Sequence, residues 1–172
     1  SLTSATTNSG LIAIGYNSQP GTNSMAVGKD TLSLQNSIMV GNSLGNASAA
    51  ESVAIGMDCV TGAAGNSLLG YGIKLTTSAA RNVFVGAYGG YFGPSSGSDN
   101  CAVGYGAGGF LTSGSSNVFL GKQAGVRSDT QNDELFIDNQ DRATYANQQT
   151  NSLIYGKFNS RSEEHTSELQ SH

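Results

Sequence analysis

The sequence predicts an all-β chain, a parallel β-solenoid or β-roll of about eight short coils followed by a hairpin-like cap. Three observations carry that reading. An apolar triplet closed by glycine recurs along most of the 172 residues, each copy is too short for a helix, and the triplet is apolar on both of its faces.

The unit is plainest at Asn23-Ser24-Met25-Ala26-Val27-Gly28. Ile12-Ala13-Ile14-Gly15 precedes it. Ser37-Ile38-Met39-Val40-Gly41, Ser52-Val53-Ala54-Ile55-Gly56 and a shortened Ser67-Leu68-Leu69-Gly70 follow. The last three are Asn82-Val83-Phe84-Val85-Gly86, Asn100-Cys101-Ala102-Val103-Gly104 and Asn117-Val118-Phe119-Leu120-Gly121. Successive glycines lie 13, 13, 15, 14, 16, 18 and 17 residues apart. So short a period, rich in β-branched residues, reads as one buried strand per coil, stacked in parallel about 4.8 Å apart. The glycine ends each strand at a corner where positive φ is needed. Turn formers such as Asn17-Ser18-Gln19-Pro20-Gly21 and Thr112-Ser113-Gly114-Ser115-Ser116 then carry the chain back.

Side chains alternate along a strand, so the first and third triplet positions share one face. Pairs such as Ile12/Ile14, Val53/Ile55 and Val118/Leu120 are expected to fill the coil. The middle position then points outward, and it too is apolar: Ala13, Ala26, Met39, Ala54, Phe84, Ala102 and Phe119. A strand apolar on both faces is one buried on both sides. One coil cannot supply the second layer, so these seven residues are the expected interface with other copies of the chain.

The Asn-Ser-x-Ala-h-Gly cassette (h apolar) resembles the head repeats of trimeric autotransporter adhesins of the YadA-like kind. That resemblance implies three chains, each a left-handed roll, hence an obligate homotrimer. The longer repeats of the second half, Asn82 to Gly90 and Asn117 to Gly125, resemble those of bacteriophage tail fibres. So do Asp133-Glu134-Leu135-Phe136-Ile137-Asp138-Asn139 and Leu153-Ile154-Tyr155-Gly156-Lys157-Phe158. In such fibres a pair of this kind often precedes an intramolecular chaperone of the endosialidase type.

Three regions follow. Residues 1–125 form the repeat region, 126–160 a strand-loop-strand transition, and 161–172 a tail of foreign composition. The tail, RSEEHTSELQSH, holds both histidines and half of the formal charge of −4. It resembles a translated sequencing-adapter oligonucleotide, so the natural chain is expected to continue past Ser160. The first residues carry no secretory signal pattern, and no apolar run approaches the length of a membrane helix. Charged residues are 12% of the chain, well under the usual quarter. No basic stripe with interleaved aromatics is present, so nucleic-acid binding is not expected.

Chemical motifs are sparse. Gly41-Asn42-Ser43-Leu44-Gly45 matches a nucleophile elbow, but the histidine that would take the serine proton exists only as His165 and His172 of the tail. Gly104-Tyr105-Gly106-Ala107-Gly108-Gly109 matches a dinucleotide-binding loop, yet Phe110-Leu111-Thr112-Ser113-Gly114 after it reads as strand and turn, not helix. Cys59 and Cys101 occupy unrelated repeat positions and are expected as free thiols, Cys101 pointing inward. Asp129, Asp133, Glu134, Asp138 and Asp141 match no calcium-loop spacing and read as solvated turn acids. No catalytic residue, metal or cofactor is expected.

Binding is the remaining expectation. The long connections of the second half carry Tyr88, Tyr91, Phe92, Tyr105 and Phe110. These rings either close the widened coils or contact a ligand, of which a cell-surface glycan fits aromatic rings set among Gly, Ser and Asn. The expected function is a structural and attachment segment of a trimeric fibre on a virion or cell surface, phage tail-fibre-like, with no membrane insertion. The alternatives are the head of a bacterial trimeric adhesin and the non-catalytic rod of a fibre-borne glycan-degrading enzyme.

Overall fold

The computed structural model describes residues 10–45, 51–91 and 95–159. In chain order its strands are β1 (Ile12–Ile14), β2 (Gln19–Pro20), β3 (Met25–Ser33), β4 (Ile38–Leu44), β5 (Val53–Met57), β6 (Val60–Thr61), β7 (Ser67–Tyr71), β8 (Lys74–Leu75) and β9 (Val83–Ala87). Then come β10 (Cys101–Val103), β11 (Val118–Leu120), β12 (Glu134–Ile137), one helix α1 (Tyr145–Asn151), and β13 (Ile154–Lys157).

The main sheet runs β1-β3-β4-β5-β7-β9-β10-β11-β12-β13, and every pairing from β1 to β12 is parallel. The repeats stack without slippage: Ala13 lies beside Ala26, Ala26 beside Met39, Ala54 beside Leu68, and Phe84 beside Ala102. The fold is thus a parallel β-solenoid of about eight turns, as the repeats predict. A second, thinner wall comes from β6 beside β8, with bridges Gly45 to Val60 and Leu75 to Ser95.

The direction of the triplet is the reverse of the sequence expectation. The middle residues face into the coil: Ala26, Met39, Ala54 and Phe119 are 0% exposed, and Phe84 and Ala102 only 1%. Ala13, in the first described coil, is half-buried. A side chain with no accessible surface in the single chain has none to offer a neighbour, so Ala26, Met39, Ala54, Phe84, Ala102 and Phe119 are not an interface. The outward positions are the first and third, where Ile12, Ile14, Ile38, Ile55, Leu69, Val83 and Val103 keep 38–59% of their surface open. Cys101 shares that outward face. Alternation has period two, and with both faces apolar it cannot say which parity turns inward.

What selects the inward parity is the width of the coil. Opposite each middle residue stands the residue three beyond the repeat glycine: Leu44, Cys59, Ile73, Ala107 and Ala124 are all buried there. The longest side chains meet the smallest partners. A Cβ on Gly89 would come within 2.3 Å of the Phe84 ring, and one on Gly125 within 2.1 Å of Phe119. In the first two described coils the interior is instead lined by hydroxyls, Thr31 donating to Ser18 at 3.2 Å and Ser33 to Ser24 at 2.9 Å. The contiguous apolar core begins at Met39.

Two further columns hold the stack. The repeat glycines have φ from 110° to 148°, and a Cβ on Gly28 would lie 1.6 Å from the carbonyl oxygen of Gly41. Only glycine allows coils to approach so closely. From Ser37 onward the residue before each triplet is buried and bonds along the axis. Asn66 Oδ1 accepts from Asn82 N at 2.9 Å, Asn82 Oδ1 from Asn100 N at 2.9 Å, and Asn100 Oδ1 from Asn117 N at 3.0 Å. Asn117 Oδ1 accepts from Glu134 N at 3.0 Å, where the asparagine ladder ends.

Beyond the repeats, β12 and β13 pair antiparallel, Phe136 opposite Tyr155. The connection between them is not wholly a loop, because Tyr145–Asn151 coils into a helix whose Thr144 side chain accepts from Asn147 N. That helix has no apolar stripe. It is held by Gln148, 1% exposed, whose Oε1 accepts from Arg127 N at 2.9 Å and whose Nε2 donates to Ser128 Oγ at 3.1 Å. Residues 126–132 turn tightly and bury Val126 and Ser128. Residues 161–172 and Phe92 lie outside the described residues.

Candidate functional site

A tyrosine cluster occupies one corner of the second-half coils. Tyr88 sits at its centre with φ 62°, two residues past the repeat glycine Gly86. Its ring meets Tyr71 at 5.2 Å, Tyr91 at 4.9 Å and Tyr105 at 5.5 Å, each edge to face. Gly72 makes the room, since a Cβ there would lie 3.2 Å from Tyr88 Cδ1. Desolvation, then a hydrogen bond to Tyr71, push the Tyr88 phenol above its usual range. Tyr71, Tyr91 and Tyr105 are 38%, 43% and 54% exposed, so their outer surfaces face solvent.

The structure therefore joins three of the five rings singled out in the sequence. Phe110 is engaged elsewhere, under the Arg127 guanidinium at 4.8 Å. Tyr71 is the member that sequence reasoning missed. The signal was there: Tyr71 directly follows repeat glycine Gly70, the place Tyr105 holds after Gly104.

The acids after Gly125 are not all solvated turn residues. Glu134 is fully buried at the end of the asparagine ladder. Its carboxylate accepts from Ser128 Oγ at 3.1 Å, from Tyr145 Oη and from Tyr155 Oη at 3.3 Å, with Lys157 Nζ 3.7 Å away. Desolvation, with the hydrogen bond to Glu134 second, pushes the Tyr145 phenol far up, so it remains a donor. Asp138 is held by Arg142 Nε at 2.6 Å, and Asp141 by Arg127 Nη2 at 2.7 Å. These guanidinium bonds depress both carboxyls. Among the described residues no three His, Cys, Asp or Glu side chains converge as a metal site would require.

The weaker motifs resolve into repeat geometry. Ser43 is an exposed corner residue at φ 53° that donates to its neighbour Asn42 Oδ1 at 2.9 Å. The glycines from Gly104 to Gly109 form successive turns, with no helix opening after them. Cys59 and Cys101 are unpaired with each other. Burial raises the Cys59 thiol, which makes it a poor nucleophile.

Fold and surface together define a class: a parallel β-solenoid with an apolar outer sheet face and an aromatic corner. Scans against protein-family models, curated proteins and solved structures found no match to this chain.

Proposed function

We propose that the chain is a structural and attachment segment of a homotrimeric surface fibre, tail-fibre-like, working outside the cell on a virion or cell surface. One observation carries it: the main sheet is apolar on the face it turns to solvent. The first and third positions of successive triplets form two columns along the rod, Ile, Val, Leu or Met throughout except at Ser67 and Cys101. Some fifteen such side chains offer roughly 1,000 Å², more than the few hundred that a soluble monomer exposes in one patch and near the per-partner area of a stable interface. The number three follows from the resemblance of the repeats to trimeric fibres. The unit of α1 and β13 closes the open end of the core, since Tyr145 and Tyr155 pack against it.

Recognition is assigned to the tyrosine corner, as a weak glycan contact repeated around the axis. Exposed phenol rings stack on sugar faces while neighbouring Gly, Ser and Asn groups bond hydroxyls. Three copies multiply a weak site by avidity. The test is light scattering of the full chain, with a glycan array probed by wild type and by Tyr91→Ala/Tyr105→Ala. Trimers whose glycan binding falls in the variant support the proposal. A monomer removes the fibre reading, and unchanged glycan binding by the variant removes the tyrosine corner.

A further inference from the structure

The outward face of the sheet ends in a cavity that its own chain leaves open. Leu120 and Ile137, the last two members of the third-position column, floor a space of about 670 Å³ walled by Asp138, Arg142, Asn151 and Leu153. Leu153 is 79% exposed at its rim. Arg142 donates to Asp138 from Nε at 2.6 Å and from Nη2 at 2.8 Å. Those paired bonds hold the guanidinium flat and leave its face free to stack. The same chain shows what such a face takes. Arg127, held in the same way by Asp141, lies 4.8 Å from the centroid of the Phe110 ring. Among the described residues no ring lies over Arg142.

A spare ring stands at the opposite end of β13 from Leu153. Phe158, 58% exposed, follows β13 and donates its N–H to Asp133 O at 2.7 Å. The register of β13 on β12 sets it beyond Leu135 of the first-position column, and sets Leu153 next to Ile137 of the third. Five residues of extended chain, about 16 Å, separate Leu153 from Phe158, so the ring sits across the sheet from its own cavity. Rotation about the rod axis brings the first-position side of one chain against the third-position side of the next, at equal height.

Resting on the trimeric reading, we infer that Phe158 of a second copy fills this cavity, its ring on the Arg142 guanidinium and against Leu120, Ile137 and Leu153. Each protomer then gives one ring and receives one, and the cavity is complete only in the assembly. Apolar burial and stacking of a cation on a ring favour the contact together.

The test is a chain carrying Leu153→Cys and Phe158→Cys together, in a Cys101→Ser background, mildly oxidised and run on a non-reducing gel. Both positions are exposed, so the fold tolerates them, and within one chain the two are beyond the 7 Å reach of a disulfide. The expected result is a covalent ladder ending at trimer, absent from either single variant. As a second readout, Phe158→Ala weakens assembly at least ten-fold by dilution, and Phe158→Trp restores it. Trimers by light scattering without the ladder overturn this inference alone. A ladder that forms only after residues 161–172 are deleted shows that segment in the cavity and overturns it also. A monomer at every concentration overturns the trimer with it.

Discussion

At the scale of the residue, the fold depends on side chains matched in size across a narrow coil. Phe119 reaches over Gly125 because no Cβ stands in its way. Gly125→Ala is therefore expected to destabilise the chain twice, through a clash with the ring and through its positive φ of 63°. Phe119→Ala leaves a cavity instead and should cost about 3–5 kcal/mol, visible as a lower denaturation midpoint. The asparagine ladder has its own signature. Asn100→Ala removes the acceptor of Asn117 N and the donor to Gly114 O at once, both buried. Each orphaned group costs about 1–3 kcal/mol, so this polar-to-apolar change should lower the midpoint, while Ser113→Ala on the exposed turn leaves it unchanged.

At the scale of the element, the coils are unequal. The first two described coils are filled by hydroxyls, and later ones by Met39, Leu44, Leu68, Ile73 and Phe84. In a one-dimensional stack each coil is stabilised mainly by its neighbours, so the end with the poorer interior opens first. Amide exchange should show β1 and β3 protected least and β7 to β11 most. Equal protection from end to end would contradict this. The C-terminal unit carries a pH dependence instead. Arg142 depresses the Asp138 carboxyl, and that side chain is 3% exposed. A carboxyl whose folded pKa lies below its unfolded value of about 3.9 contributes stability above that value and loses it as pH falls through the folded pKa. Melts should therefore weaken below about pH 4, and Asp138→Asn should flatten that part of the profile while lowering stability at neutral pH.

At the scale of the whole molecule, the inverted triplet changes which mutations separate folding from assembly. A charge at Ala26 or Phe119 now lands in the core of the single chain and should unfold it. A charge at Ile55 or Val85, on the outward columns, should leave the β circular-dichroism spectrum intact and release monomers seen by light scattering. If Ile55→Asp remains as large as wild type, the outward face is not where the chains meet. In the proposed fibre the two halves divide the tasks: coils before Gly70, with short turns, set distance, and those after it carry the tyrosine corner that meets solvent.

The repeat period, the parallel stacking, the corner glycines and the polar column before each triplet were all legible in the residues. Each rests on local chemistry repeated along the chain: β-branched triplets, a glycine that tolerates φ above 100°, and, before every triplet but the first, an amide or hydroxyl at a fixed offset. The inward parity of the triplet was not legible, because Ala26 and Val27 are both apolar and only the distance between the two walls of a coil decides between them. Nor was α1, whose seven residues, five of them polar, have no amphipathic pattern and are helical through Gln148 bonding Arg127 and Ser128. Glu134 reads as a surface acid until β12 stacks on β11 and buries it at the end of the ladder. Tyr71 joins Tyr88 and Tyr105 for a similar reason, since residues 17 apart in sequence become neighbours only when coils stack. Local pattern determined the coil; contact between coils decided what each coil encloses and what it shows.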